Sequence, residues 1–527
     1  MVSPGKGTIA FTFSAGSGHV NPSLPIARRL VELGYNVMYM CGEQLRVPIE
    51  ATGATYVDKD QILFGGVDGL DFFNNVAAEL GLTEGLANPD THPVDIPILM
   101  LHWRKALPPM LSWLREITPI LVVFDSIACG FVRLAADVLG IPTASLLTIN
   151  GHGLYEDWCR RIAALAGFEP SADGILAWHR QTPAMNHPST VENARILAEE
   201  YDVGIEELIG MPLAPSSLYS HTCNLVSTIE SLAIPIGPRE SEVLAARGYE
   251  FHYVGPLVGD GTARASTQVN IRSAAQSADD RSDVAPDVAD GLDAPFPMDR
   301  VRQAHAEGRP LVMCSLGTVI TSDLPRHYGW AHRAVNPFTG KAGATGKEFS
   351  QAIWRALFLE LGRDNRVVDP HADEPLLIVS VGYQSDALEG LSVPGNAICR
   401  GSIPQVELLA MRPHVFVTHA GQNSIMESLR MGVPMLTVPR QHDQPSNADR
   451  LEMLGAAVAV APPEDGTPGC LEAYTSAVRA GLRRVLHDAT GERQFAACAA
   501  RIGAEIRSSG GVGQAVELLI AAIDGAT

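Results

Sequence analysis

The chain lacks a long hydrophobic run. None of its 527 residues lies in an uninterrupted apolar segment that approaches the roughly 20 residues of a membrane-spanning helix. The N-terminus also lacks the apolar stretch and small-residue cleavage site of a signal peptide, since residues 4–7 lead directly into a strand at 8–13. We therefore expect a cytoplasmic protein with no membrane span.

Basic residues and paired cysteines are also scarce. The chain has 39 Lys and Arg against 59 Asp and Glu, a formal net charge of −20, which argues against nucleic acid or an anionic membrane as the main partner. Its eight cysteines show no C-x-x-C spacing, so neither a zinc site nor a disulfide framework is indicated. A reducing compartment and the absence of a metal site are the expectations that follow.

The patterns that are present indicate two α/β domains. Short apolar runs typical of buried parallel strands alternate with helical segments in both halves of the chain. We predict two doubly wound parallel-sheet (Rossmann-like) domains, at 1–257 and 309–504. The residues between them, 258–308, are rich in Ala, Ser, Asp and Gly and predict a linker with a mobile, low-complexity insertion.

The segment 414–444 predicts a ligand site in the second domain. It reads as a strand, a turn, a short helix capped by Asn423 or Ser424, a second strand and a loop. Because a helix N-terminus presents free N–H groups, it favours a phosphate or diphosphate, and His419 adds a side-chain donor. Glu427 offers an acceptor to a pair of sugar hydroxyls, and Asp443 with Gln444 offers polar groups to a second ring. Phosphate, diol and sugar indicate a nucleotide sugar.

The first domain offers an imidazole and a carboxylate at two strand ends. The loop at 14–19 is not a dinucleotide fingerprint, because Asn21 stands where G-x-G-x-x-G needs glycine. It does place His19 after the first strand, and the strand 120–125 ends in Asp125, so the two side chains can meet at one edge of a sheet. Such a pair is a workable general base, although His19 as a loop cap and Asp125 as an N-cap are open alternatives.

These residues carry a resemblance to a known family. The pattern H-x-G-x-N-S-x-x-E, followed by G-V-P and P-x-x-x-D-Q, resembles the donor signature of family 1 glycosyltransferases that use UDP-sugars, and G-H-x-N-P resembles the segment with their catalytic base. The resemblance implies a GT-B fold, in which two domains face across a cleft and the last helix, here within 505–527, crosses back to the first domain. It also implies an inverting, metal-independent transfer with His19 as base and Asp125 as its orienting acid.

The resemblance also implies a donor-binding set. UDP-glucose is the first expectation for the donor, and no further cofactor is implied. Two departures stand out, because Ser402 replaces the tryptophan that stacks on uracil in many relatives, and Gln422 stands where plant relatives often have tryptophan. The implied set is Gly18, Ser315, Gly317, Thr318, Ile403, Gln405, His419, Gly421, Gln422, Asn423, Ser424, Glu427, Asp443 and Gln444.

The acceptor and the rival functions stay open at this point. A small lipophilic acceptor, such as a phenolic, polyketide, macrolide or sterol-like product, suits the aromatic first domain, and a monomer or weak homo-oligomer is expected. A catalytically silent nucleotide-sugar-binding protein and another GT-B enzyme such as an epimerase are the alternatives. The side chains that either line an acceptor pocket or belong to the core are Phe72, Phe73, Met100, His102, Trp103, His152 and Trp158.

Overall fold

The chain folds into two compact units, residues 1–269 with 508–527 and residues 270–507. The computed structural model describes residues 6–526 apart from 15, 81–94, 128, 183–184, 210–217, 259–291, 293, 318–319, 322–328, 332, 334–340, 364–373 and 491–493. Most of the predicted linker at 258–308 therefore lies outside the described residues.

The first unit contains a seven-stranded sheet with the order β3-β2-β1-β4-β5-β6-β7, in which all neighbouring strands are parallel. Its strands are β1 (Thr8–Thr12), β2 (Asn36–Cys41), β3 (Thr55–Asp58), β4 (Leu121–Asp125), β5 (Thr143–Leu147), β6 (Cys223–Val226) and β7 (Phe251–Tyr253). Its first helices are α1 (Ser17–Glu32), α2 (Arg46–Glu50), α3 (Lys59–Phe64), α4 (Gly69–Glu79), α5 (Asp95–Ile117), α6 (Gly130–Val138), α7 (Gly153–Leu165), α8 (Ala172–Gln181), α9 (Pro188–Tyr201), α10 (Ile205–Ile209) and α11 (Pro238–Ala246).

Strand β4 explains why this sheet is covered on both faces. All five of its residues are buried, and they alternate between two hydrophobic clusters. Leu121 and Val123 pack into one cluster, whereas Val122 and Phe124 pack into the other. Because successive side chains of a strand point to opposite faces, a continuous apolar run is what a sheet with helices on both sides requires.

Helix α1 begins earlier than its sequence suggests. We expect it to start at Pro22, because proline favours the first turn of a helix. It begins instead at Ser17, where Gly16 in extended conformation is the N-cap and its carbonyl accepts hydrogen bonds from the N–H groups of His19 and Val20. His19 therefore lies in the first helical turn and not in a loop.

The second unit contains a six-stranded parallel sheet with the order β10-β9-β8-β11-β12-β13. Its strands are β8 (Leu311–Ser315), β9 (Leu376–Ser380), β10 (Ala397–Arg400), β11 (Val415–Thr418), β12 (Met435–Thr437) and β13 (Ala457–Ala459). Its helices are α12 (Met298–Ala306), α13 (Gly346–Leu361), α14 (Gln405–Ala410), α15 (Gln422–Arg430), α16 (Gln444–Met453), α17 (Pro468–Thr490) and α18 (Gln494–Ser508). The prediction of two doubly wound parallel-sheet domains is confirmed.

Two segments at the ends of the predicted domains extend this picture. The last part of the predicted linker is not irregular but forms α12, since Val301 and Ala304 are buried. The final helix, α19 (Gly511–Ala526), belongs to the first unit, where Val516 and Leu519 join the same cluster as strand β1.

Both sheets reverse their strand order at one point. In the first unit the reversal lies between β1 and β4, and in the second it lies between β8 and β11. Connections on the two sides of such a point run in opposite directions and leave a crevice at the carboxyl ends of the strands, where open α/β sheets bind ligands. We call these places the first and the second switch point.

Candidate active site

The first switch point holds a buried carboxylate, Asp125, at the end of β4. Its side chain has no exposed surface. Oδ1 lies 3.1 Å from Nδ1 of His19 and accepts a hydrogen bond from the N–H of Ile127 at 3.2 Å. Oδ2 accepts hydrogen bonds from the hydroxyl of Ser14 at 2.8 Å and from its N–H at 3.4 Å. The contact that the sequence analysis expects between His19 and Asp125 is present, whereas their catalytic roles stay a prediction.

The carboxylate determines how the imidazole of His19 is held. Nδ1 faces Asp125, so the neutral ring carries its proton on Nδ1 and its lone pair on Nε2. The side chain is 30% exposed, in contrast to its fully buried partner. A Cβ at Gly16 would lie 3.0 Å from Cδ2 of His19, so the glycine leaves room for the ring. This arrangement suits a general base. Gly18 lies beside it on the exposed side of the first turn.

Asp125 is ionised despite its burial. Burial alone raises the pKa of this carboxyl group, but the charge and hydrogen bond of His19 and the hydrogen bonds from Ser14 and Ile127 together hold the pKa below its usual range. The result is a negative charge behind the imidazole near neutral pH, which stabilises the imidazolium form.

Ser14 and Thr148 are the neighbours that the sequence analysis missed. Ser14 follows β1 and binds Asp125, and Thr148 follows β5 with its hydroxyl oxygen 3.4 Å from Nδ1 of His19. Thr148 stands directly after a strand and Ser14 stands two residues after one, so the strand-end rule that singles out Asp125 also applies to them. What the sequence could not supply is the pairing, because Ser14 is 111 residues from Asp125 and Thr148 is 129 residues from His19.

The second switch point places an imidazole between two glycines. His419 follows β11, and Gly317 follows the neighbouring strand β8, whose Ser315 is paired with Thr418. Gly317 has a φ of +78°, and a Cβ there would lie 2.6 Å from Cε1 of His419. A Cβ at Gly421 would lie 2.4 Å from Nε2. Glycine is therefore required at both positions for the ring to fit. Thr318 lies outside the described residues.

Helix α15 begins with a backbone cap and not with a polar side chain. The sequence predicts Asn423 or Ser424 as the N-cap, but Gly421 in extended conformation is the N-cap, and the helix starts at Gln422. The prediction was wrong because small polar residues in the first turn resemble caps. No side chain caps this end, so its N–H groups point outward as an anion-binding end would require. The amide atoms of Gln422 are buried and have no hydrogen-bond partner among the described residues.

His419 is a neutral donor in this setting. Burial lowers the pKa of its imidazole to about 4, and a hydrogen bond with the backbone of Ser315 acts in the opposite direction. The ring therefore carries no charge near neutral pH. A neutral imidazole has one N–H, so the Ser315 backbone and a bound anion would compete for it.

A polar cluster connects α14 with α15. Nε2 of Gln405 donates to Oε2 of Glu427 at 2.9 Å and lies 3.2 Å from Oγ of Ser424. The carbonyl of Ile403 accepts the N–H of Gln405 at 2.8 Å, which fixes the turn before α14. Three residues of the implied donor set, Gln405, Ser424 and Glu427, are thus brought together, and the carboxylate of Glu427 can accept from vicinal hydroxyls.

The loop after β12 is joined to the turn after β11 by a residue that sequence reasoning missed. Nδ2 of Asn447, which is fully buried on α16, donates to the carbonyl of Ala420 at 3.0 Å and to Oδ2 of Asp443 at 2.8 Å. Oε1 of Gln444 accepts the N–H groups of Arg440 at 2.9 Å and Gln441 at 3.2 Å. The side chains of Asp443 and Gln444 are therefore both fixed by hydrogen bonds within the protein, and the amide oxygen of Gln444 is already occupied by backbone N–H groups.

The proposed acceptor-lining residues mostly pack in the core. Met100, Trp103 and His152 are less than 9% exposed, and burial lowers the pKa of His152 to about 4. The side chain of Phe73 lies outside the described part of the chain. His102 contacts the ring of Phe72 edge-on at 5.7 Å, again as a packing contact.

Two further properties concern metals and membranes. In the part of the chain that the structure describes, no three His, Cys, Asp or Glu side chains are grouped so that they could hold a metal ion. All eight cysteines are free. No described helix combines the length and the apolar character needed to cross a membrane.

Comparisons with known proteins find similarity to sugar transferases. A model of the UDP-glucoronosyl and UDP-glucosyl transferase family matches residues 391–479. The chain is 23% identical over 462 residues to the NDP-glycosyltransferase YjiC of Bacillus subtilis (strain 168), covering 88% of this chain and 86% of that protein. It is 23% identical to the oleandomycin glycosyltransferase of Streptomyces antibioticus, over 97% of this chain and 90% of that one.

A solved structure extends the likeness to the whole fold. The glycotransferase of kitacinnamycin aligns with a TM-score of 0.60 and 20% identity, covering 99% of this chain and 100% of that chain. This likeness confirms the expected GT-B fold.

Proposed function

We propose that this chain, which is similar to family 1 glycosyltransferases, moves a sugar, with glucose as the first choice, from a UDP-sugar to a hydroxyl group of a small lipophilic acceptor. The proposed transfer inverts the anomeric centre and needs no metal ion. The observation that carries the proposal is the buried, ionised Asp125 behind the part-exposed His19.

The proposed chemistry begins at Nε2 of His19. This atom accepts the proton of the acceptor hydroxyl while the acceptor oxygen forms a bond to the anomeric carbon and the bond from that carbon to the diphosphate oxygen breaks. The carboxylate of Asp125 stabilises the imidazolium that forms. Attack on the side opposite the leaving UDP gives inversion. We assign donor binding to residues of the second unit.

The second switch point suits the leaving diphosphate. Neutral His419 and the uncapped N-terminus of α15 provide hydrogen-bond donors for the negative charge that develops on UDP, in place of a cation. We assign Gln422, whose amide lacks partners among the described residues, to the sugar together with Asp443 and Gln444.

The nucleoside is assigned to the side of β9 and β10. Glu427 and Gln405 would hold the ribose hydroxyls, and because Gln405 opens the helix after β10, the base would lie near the ends of these strands. Tyr383 follows β9, and its ring packs so closely on Gly401 that a Cβ there would lie 2.6 Å from Cε1. We assign the stacking face for uracil to this ring, since Ser402 cannot supply one.

The acceptor class rests on relatives. One relative is named oleandomycin glycosyltransferase and another 4'-demethylrebeccamycin synthase, and both are named for natural products. A hydroxyl-bearing product of similar size is therefore the proposed acceptor for this chain.

A transfer assay tests the proposal. The full chain is incubated with UDP-glucose, other UDP-sugars and a mixed panel of phenolic, polyketide and macrolide acceptors, with and without EDTA. We expect a glycoside whose anomeric configuration, read by NMR, is opposite to that of the donor, at an equal rate in EDTA. UDP binding without any product would indicate a silent nucleotide-sugar binder, and an altered sugar on UDP would indicate an epimerase. Loss of activity in EDTA would overturn the metal-free mechanism.

A further inference from the structure

Ser14 contacts the oxygen of Asp125 that does not face His19. We propose that Ser14 is a positioning residue of the first switch point, which holds Oδ2 of Asp125 so that Oδ1 is directed at His19, and which thereby sets the pH range in which the pair can act as a base. This inference rests on the proposed function for its kinetic readout, but its geometry stands on the contacts of Asp125 alone.

The contacts of Asp125 account for its full capacity as an acceptor. A carboxylate has about four lone-pair positions, two on each oxygen. Oδ1 receives Nδ1 of His19 and the N–H of Ile127, and Oδ2 receives the hydroxyl and the N–H of Ser14. The 2.8 Å hydroxyl bond is the shortest of the four contacts. Ser14 therefore provides two of the four hydrogen-bond contacts that stabilise this buried anion in place of water.

The chain fixes the serine in the place that this contact needs. The N–H of Phe13 donates to the carbonyl of Met40 at 3.2 Å, which extends the pairing of β1 with β2 by one residue. The thiol of Cys41 donates to the carbonyl of Ser14 at 3.7 Å. The backbone of Ser14 is thus tied to the end of β2, and its side chain is carried to the end of β4.

Removal of the hydroxyl has a directional consequence. In Ser14→Ala, Oδ2 keeps only the 3.4 Å contact with the backbone N–H. Because the side chain of Asp125 has no exposed surface, solvent does not replace the lost hydrogen bond. A carboxylate with fewer hydrogen bonds either has a raised pKa of its own or attracts the imidazolium more strongly, which raises the pKa of His19. Because the base must be neutral and its partner ionised, both routes move the onset of activity to higher pH.

The other titratable groups that face Asp125 do not interfere. They are Tyr39 within β2, Cys41 at the end of β2 and Cys129 directly before α6. Burial, the largest cause for each, raises the pKa of Cys41 to about 12 and raises those of Tyr39 and Cys129 well above their usual values, so all three are neutral across the range of an assay. Besides Asp125 itself, the charged group near both thiols is Lys59, and Asp60 also lies near Cys41.

The experiment compares pH profiles of kcat/KM for the acceptor in the full-length protein. We expect the acid limb of Ser14→Ala to move up by about one pH unit relative to the unmodified chain, with an unchanged Kd for UDP and recovery toward the alkaline plateau. Ser14→Thr, which keeps the hydroxyl, should restore the limb.

Ser145→Ala is the matched control. It removes another buried hydroxyl from the same sheet, one that donates to Oδ1 of Asn224 at 2.7 Å, and should lower Tm without moving the limb. If kcat/KM of Ser14→Ala is lowered by the same factor at every pH, or is unchanged, the positioning role is overturned.

A second readout separates this inference from the proposed function. In protein labelled with ¹⁵N-histidine, the signal of His19 is identified by its absence in His19→Ala, and its titration is followed in the unmodified chain and in Ser14→Ala. A shift without any transferase activity would support the role of Ser14 and reject the proposed function. Transfer activity with identical titration and identical profiles would reject only the role of Ser14.

Discussion

The two switch points have the same topology and opposite electrostatics. Each lies between the first and fourth strand of a parallel sheet in which the third strand is at one edge. The first contains an ionised carboxylate, Asp125, buried among four hydrogen-bond donors. The second contains a neutral imidazole, His419, enclosed by Gly317 and Gly421. The two sheets share one strand order, so the different electrostatics come from the side chain at the strand end, a carboxylate on Asp125 and an imidazole on His419.

The largest expected effect comes from His19→Ala. If the first switch point alone supplies the base, kcat should fall by about 10³-fold, since a positioned general base contributes that order of rate, while the Kd for UDP stays the same. Steady-state kinetics and calorimetric titration measure the two quantities. Full activity in this variant would contradict the assignment of the general base to the first switch point.

Gly317→Ala tests the second switch point by crowding it. The new Cβ would lie 2.6 Å from Cε1 of His419, so we expect the affinity for UDP to fall on the order of tenfold or more, beyond a stability cost of about 1 kcal/mol from the positive φ. Gly390→Ala is the control, because Gly390 has a φ of +71° with open space around it and should show only the stability cost. Equal UDP affinities in the two variants would contradict the assignment.

Tyr383→Ala extends the comparison to the nucleoside. Loss of a stacking ring costs about 1–3 kcal/mol, so the Kd for UDP should rise roughly tenfold, whereas Tyr383→Phe keeps the ring and should bind as the unmodified chain does. Titration with inorganic diphosphate provides the internal check, because its binding should be the same in both variants. Equal loss of diphosphate and UDP binding would place Tyr383 outside the base site.

The smallest expected effect is the pH dependence of donor binding. Burial lowers the pKa of His419 to about 4 in the free protein, and a bound diphosphate raises it. The complex then binds more protons than the free protein between that value and the raised one, so affinity increases as pH falls. We expect roughly threefold tighter binding of UDP-glucose at pH 5 than at pH 7. His419→Gln should give a flat profile, and a slope that persists in it would assign the proton to another group.

Much of the fold is predictable because its signals are local. The apolar run that ends in Asp125 predicts a strand buried on both faces, and the run before His419 predicts another, and both are present. The starts of α1 and α15 were misplaced for one physical reason. In each, an extended glycine, Gly16 or Gly421, provides the cap through its backbone, and no polar side chain marks it.

The candidate site was predictable only in part because its contacts are distant in sequence. Strand ends indicate His19 and Asp125 individually. The donors that complete the site, such as Ser14 on Asp125 and Asn447 between Ala420 and Asp443, depend on which loops the sheet brings together. A single sequence contains no local sign of that pairing.

The final helix has a consequence for the order of synthesis. Leu519 on α19 is fully buried in the cluster that includes strand β1, so the core of the first unit includes side chains from both ends of the chain. The intervening residues 270–507 must be translated before that core is complete, a delay of roughly ten to fifty seconds at ordinary ribosome speeds. The first unit therefore cannot complete its core until the second unit and α19 have been translated.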